Sequence, residues 1–240
     1  MPDPYFNRPP PSDTPPEPLA ATALAILAAH PIGDFPRAAP VIWVLEGIHD
    51  IHFIKIASDI LRTADASLPN LAEMERRGDL VFLPVGGGVL APWADRLAPL
   101  GAQFHLYDRE VSPETEIRRQ IVREINTRPN CRAVLTSKRS LENYLHPSAV
   151  STACGIDVCF GDFDSVPELL VKERFQRTYP GVAWENLPRR SRRRLADRAK
   201  RILNIRAAEA MTPELFAERD PAGEIAGWLK TVAELARRTR

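Results

Sequence analysis

Val41-Ile42-Trp43-Val44-Leu45-Glu46-Gly47-Ile48-His49-Asp50 is the stretch on which the reading of this chain turns. An apolar run ends on a carboxylate, a glycine follows, and a second carboxylate opens a segment with Ile51, Ile54, Ala57 and Leu61 near helical spacing. That is the pattern of a buried strand feeding a helix, here over 41–46 and 50–64. The unit recurs. Asp79-Leu80-Val81-Phe82-Leu83-Pro84 reads as a second strand, followed by Gly86-Gly87-Gly88 and a helix over about 90–99. Residues 102–107 read as a third strand that delivers Asp108-Arg109-Glu110, and the next helix, over 113–127, has Ser112 as its cap and Pro113 at its first position. Ala133-Val134-Leu135-Thr136 reads as a fourth strand, and Leu141 to Leu145 opens a less regular stretch. Strand and helix in alternation predict an α/β core over 39–150, with a parallel sheet and helices on its faces.

Outward from this core the composition changes. Residues 1–18 hold eight prolines and suit neither a helix nor a central strand; with the apolar run Leu19 to Ala29 they read as a leader and short helix, 1–38. Residues 151–240 read as a mostly helical basic extension, with helices near 166–177, 188–208, 212–218 and 221–237. The formal net charge of the 240 residues is only +1, yet 189–206 carries Arg189, Arg190, Arg192, Arg193, Arg194, Arg198, Lys200, Arg201 and Arg206 against Asp197 alone. A single-signed stripe of that kind suits contacts to phosphates, for which Arg190, Arg193, Arg194 and Lys200 are candidates, or a solvated helix face. Cys131, Cys154 and Cys159 form no CxxC pair, which fits a reducing compartment rather than a disulfide scaffold. No apolar stretch is long enough to span a bilayer, so a cytoplasmic location is expected.

Ligands of parallel sheets bind at the carboxyl ends of the strands. Glu46 and Asp50 after one strand, and Asp108 and Glu110 after another, place two carboxylate pairs there. Such pairs repel unless divalent cations lie between them, which points to a metal-dependent phosphodiester site. Alternation along an extended segment sends Asp108 and Glu110 to the same side, and Gly47 leaves room for a tight turn. Asp50 by itself is more often a helix cap. Gly86, Gly87 and Gly88 either let backbone amides approach a phosphate or form a plain turn; the Lys-Ser/Thr ending of an ATP-binding loop is missing. His49 and His52 read as packing or surface residues, Asp162 and Asp164 as a turn and cap before Val166, and Tyr144 and Trp184 as core aromatics rather than base-stacking ones.

Glu46-Gly47-Ile48-His49-Asp50 and Asp108-Arg109-Glu110 together resemble the Toprim domain of topoisomerases, primases and nucleases. Pro84-Val85-Gly86-Gly87-Gly88, Ser137-Lys138-Arg139-Ser140-Leu141-Glu142-Asn143-Tyr144-Leu145 and Asp220-Pro221-Ala222-Gly223-Glu224-Ile225 resemble the nuclease domain of the OLD (overcoming lysogenization defect) family within it. The resemblance spans about 40–236, and Glu-Asn-Tyr-Leu is its most family-specific part. It implies a DNA endonuclease site with two divalent ions. Glu46 and Asp50 would belong to a first acidic group, Asp108 and Glu110 to a second and Glu142 to a third. Glu46 and Asp108 would be catalytic, and Lys138 or Arg139 would neutralise charge on the scissile phosphate. Glu46 as a general acid or base is the alternative role. Asp-x-Glu stands where the superfamily usually has Asp-x-Asp. The all-carboxylate donor set suits Mg²⁺ or Mn²⁺. OLD nucleases usually carry an ABC-type ATPase; with no Gly-x-x-x-x-Gly-Lys-Ser/Thr here, the expectation is a free-standing protein or the nuclease half of a split system with a separate ATPase chain. A catalytically inactive Toprim module that binds nucleic acid or an ATPase is the competing expectation. Monomer and oligomer both stay open.

Overall fold

The computed structural model describes residues 40–86 and 91–238, without the side chains of 91–93. The leader 1–38 and the pair Gly87-Gly88 lie outside the described residues. Four parallel strands, β1 (Val41–Leu45), β2 (Leu80–Pro84), β3 (Gln103–Tyr107) and β4 (Cys131–Leu135), form one sheet in the order β2-β1-β3-β4. All four expected strands are present, β4 starting two residues earlier than its apolar run. The chain leaves β1 toward β2 on one side and, after β2, crosses to β3 on the other. A crevice therefore opens between the carboxyl ends of β1 and β3, where open α/β sheets hold their ligands.

Helices cover both faces. Val41, Trp43 and Leu45 of β1 and Phe104 and Leu106 of β3 pack on α1 (Ile48–Ala64) and on the C-terminal helices; Ile42, Val44 and Tyr107 face α3 (Ala91–Leu97) and α4 (Glu114–Ile125). That split is the period-two alternation of a strand buried on both sides, which is why β1 is apolar throughout and why even Gln103 and His105 of β3 are buried. Trp43 anchors the larger layer, with its ring 5.7 Å from Phe82 and edge-on to Phe104 at 5.2 Å. A short α2 (Leu71–Arg76), capped by the Asn70 side chain on Glu73 N–H, returns the chain to β2.

The C-terminal segment is built into the same core. It comprises α5 (Pro147–Cys154), α6 (Val166–Thr178), α7 (Arg189–Ile202), α8 (Pro213–Arg219) and α9 (Glu224–Arg238). Ile225, Trp228, Leu229 and Val232 of α9 are buried in the layer that also holds Trp43 and Phe53. Two local expectations are corrected. Ser112 does not cap α4: Pro113 is the capping residue, α4 begins at Glu114, and the Ser112 hydroxyl donates instead to Glu116 at 2.9 Å. The helix expected over 188–208 is α-helical only to Ile202, and Leu203–Ala207 is a π-helical turn. The core aromatics are as expected, Tyr144 and Trp184 both being buried. No helix among the described residues is long and apolar enough to cross a membrane.

Candidate functional site

Glu46 is the first residue past β1 and Asp108 the first past β3, so pairing of the two strands sets them side by side at the crevice. The Asp108 amide donates to Glu46 Oε1 at 3.2 Å. Arg118, on α4, forks onto both Glu46 oxygens and also donates to the Asp108 carbonyl at 2.6 Å. Burial by itself lowers the Arg118 pKa, but the Glu46 carboxylate outweighs it and the net shift is upward. A bidentate guanidinium fixes a carboxylate in orientation as well as charge. Nothing in the sequence set Arg118 apart from Arg119; only the placement of α4 turns one inward.

Asp50 works in two directions. Its Oδ2 accepts from the Gly47 amide at 2.8 Å and caps α1; its Oδ1 meets Asn204 Nδ2 at 3.5 Å. The same Asn204 nitrogen donates to Glu142 Oε1 at 3.1 Å. Gly47 has ordinary extended backbone (φ −147°), so the turn itself does not demand glycine. Glu142 reaches the cluster from a 3₁₀ turn, Leu141–Tyr144. Asn143 staples that turn: its Oδ1 accepts from the Ser140 amide and hydroxyl, and its Nδ2 donates to the Gly161 and Asp164 carbonyls at 2.8 and 3.0 Å. Tyr144 locks it from behind, donating to Glu224 at 2.5 Å and packing edge-on against Trp228. Of Glu-Asn-Tyr-Leu only Glu142 faces the crevice acids; Asn143 and Tyr144 hold the turn, and Leu145 is buried in the core.

The electrostatics follow from this crowding. Burial, then Glu46, Asp50 and Glu142, push the Asp108 carboxyl well above the usual carboxylate range. Burial and Glu142 raise Asp50 to about 7, Lys200 opposing. Lys200, from the last turn of α7, is the cation all of these acids feel. Glu142, then Asp108, Asp50 and Glu110, raise its pKa against the effect of burial. It has no direct ion pair among the described residues, so its charge acts through space. Asn204 lies four residues on, in the π-turn; the side chain is fully buried and its Oδ1 has no hydrogen-bond partner. Both C-terminal residues converge on acids that come from β1, β3 and the 3₁₀ turn.

Several expected residues sit elsewhere. Lys138 is held by Asp162 and lies over the Tyr144 ring, 5.6 Å from its centroid; Arg219 shares Asp162 at 3.4 Å. Asp162 is thus an ion-pair residue, while Asp164 makes the expected turn by accepting from the Gly161 amide. Glu110 does not share a strand face with Asp108, because β3 ends at Tyr107 and Glu110 adopts a left-handed φ of 54°. Its carboxylate pairs with Arg139 Nε at 3.3 Å, and Arg139 also reaches the Phe163 carbonyl. Gly86 has φ 71° beyond β2, and its amide donates to the Glu46 carbonyl at 2.8 Å, so this amide is occupied within the fold. Arg190, Arg193 and Arg194 are exposed on α7, away from the apolar core. Among the described residues no group of three or more His, Cys, Asp or Glu side chains is gathered closely enough, as they stand, to hold a metal ion. No family model, curated protein or solved structure matches the chain.

Proposed function

We propose that this protein is a Toprim-type DNA endonuclease that requires Mg²⁺ or Mn²⁺, acting in the cytoplasm, alone or with a separate ATPase. The observation that carries this reading is the convergence of Glu46, Asp50, Asp108 and Glu142, from three separate parts of the chain, at the crevice between β1 and β3, with Arg118 on Glu46 and Lys200 as the further cation beside the other three. With Arg118 taken by Glu46, one ammonium cannot offset the other three carboxyl groups once they ionise, and the shortfall is what a hard divalent cation supplies. The donor set fits such a cation: carboxylates, with the orphaned Asn204 Oδ1 as a further hard oxygen. Asp50, Asp108, Glu142 and Asn204 are the residues that would hold it. When bound, the metal would acidify a water and stabilise charge on the scissile phosphate.

The chain's own residues supply the rest. Arg118 holds Glu46 fixed beside Asp108. Asn204 holds Asp50 and Glu142 at a constant spacing. Lys200, lacking a direct partner, is placed to meet a phosphate oxygen. That role fell to Lys138 or Arg139 in the sequence reading, but each has its own carboxylate. The arginines of α7 give the surface a stripe for neighbouring phosphates, and binding through them weakens as salt rises.

Supercoiled plasmid incubated with Mn²⁺ tests this directly: the wild type should nick it, and Asp108→Asn and Lys200→Ala should lower the rate at least about a hundredfold without loss of the folded circular-dichroism spectrum. Absence of nicking with any divalent metal, alone or with a cognate ATPase, sinks the catalytic reading. One observation favours the alternative of a non-catalytic nucleic-acid-binding or ATPase-partner module: Glu46 is already engaged by Arg118. That module would bind DNA without nicking it and take up no Mn²⁺.

A further inference from the structure

Beside the acidic cluster lies an open groove of about 330 Å³ between the turn 162–165, α6 and the first turn of α7. Its walls set Arg139, Lys172 and Arg192 against Asp164, Glu168 and Glu185. Cations and anions balance, so the groove does not favour a bare phosphate. Part of this charge is already spent: Lys172 pairs with Glu185 at 3.3 Å, and Asp164 takes the Gly161 amide. What remains on the walls is an acceptor, Glu168, and a donor, the Arg192 Nε, which is buried with no partner among the described residues. Phe163 gives the groove an aromatic wall. Phe163 is 51% exposed, and the Arg109 guanidinium lies over its ring, 5.3 Å from the centroid. A flat ligand with hydrogen-bonding edges and no charge of its own fits these walls.

The groove is also tied to the site. Arg139 bridges them, holding Glu110 with Nε and the Phe163 carbonyl with Nη1. Helix α7 joins them a second way, with Arg192 on the groove and Lys200 at the acids. Eight residues of α-helix separate those two, or about 12 Å along the axis, a length of about three to four stacked nucleotides. The exposed Arg193 and Arg194 on the same helix would carry the intervening phosphates.

We propose that this groove takes one unpaired base of the DNA strand whose phosphate lies at the acidic cluster, with Phe163 as the stacking surface and Glu168 and Arg192 on the base edge. The proposal rests on the nuclease reading above and deepens it, because it makes a single-stranded or locally opened strand the preferred substrate. Aromatic side chains that stack on bases are tolerant of sequence, so little base preference is expected.

The test uses the full chain, without divalent metal, and a short single-stranded DNA oligonucleotide containing 2-aminopurine. Wild type should bind it and quench its fluorescence. Phe163→Ala should weaken binding about tenfold and lose the quench, while Phe163→Trp keeps both. Arg192→Gln should weaken binding without abolishing the quench. Failure of the wild type to bind the oligonucleotide overturns the proposal, as does unchanged affinity in a folded Phe163→Ala protein. The two failures are separable: a wild type that nicks plasmid while Phe163→Ala binds normally loses only the groove, whereas one that binds through Phe163 but never nicks loses only the nuclease.

Discussion

Arg118 and Asn204 are the two side chains that decide the geometry of the crevice. Arg118 neutralises the carboxylate nearest to Asp108. Arg118→Ala leaves Glu46 without a counter-charge in a partly buried position and should cost about 2 kcal/mol in urea denaturation. Arg118→Lys should recover only part, since an ammonium cannot fork across two oxygens. Asn204→Leu keeps the volume and removes the bridge between Asp50 and Glu142. Divalent-ion affinity should fall about ten- to a hundredfold, read by calorimetry, while the thermal transition stays cooperative. An unchanged affinity would remove Asn204 from the site. Asn204 was legible in principle: it is the polar residue in Ile202-Leu203-Asn204-Ile205, and a buried amide within an apolar stripe needs partners. Arg118 had no such mark, because an arginine on a predicted helix reads as solvated until the facing strand is known.

Elements rather than residues explain which expectations travelled well. The strands were legible because β1 and β3 are buried on both faces: β1 is a continuous apolar run closed by Glu46-Gly47, and β3, interrupted by Gln103 and His105, lies between Gly101-Ala102 and Asp108. The acids at their ends followed from the same runs. Contacts made by the C-terminal helices were not legible, since they depend on how α7 and its π-turn lie across α1. Asn204 lies in the π-turn Leu203–Ala207, a departure from helical spacing that periodicity does not reveal, and from there it meets Asp50 and Glu142. The 3₁₀ turn that delivers Glu142 is secured by α9, because Glu224 accepts from the Ser137 amide at 3.2 Å, the Ser137 hydroxyl and Tyr144. Tyr144→Phe breaks one of these bonds inside the core. It should cost about 1–2 kcal/mol and lower nicking through misplacement of Glu142. A variant as stable and active as wild type would show that the turn does not need this staple.

At the scale of the whole molecule, the crevice stores electrostatic repulsion that protons relieve. Asp50 has a folded pKa of about 7 against an ordinary 3.8, and Asp108 moves in the same direction. The folded chain therefore holds these protons more tightly than the unfolded chain. Their contribution to stability is present at low pH and is lost as pH rises through about 7. A divalent cation would take the place of those protons, so the rise in Tm on adding Mn²⁺ should be larger at about pH 8 than at about pH 5. Equal rises at both would place the ion away from Asp50 and Asp108. The central claim is that folding gathers carboxylates from distant parts of the chain into one cation-binding crevice. Calorimetric titration of Mn²⁺ into wild type and Asp108→Asn tests it most directly. Saturable binding to the wild type that is lost in a folded Asp108→Asn protein is the predicted result; no saturable binding, or the same binding in both, would contradict it.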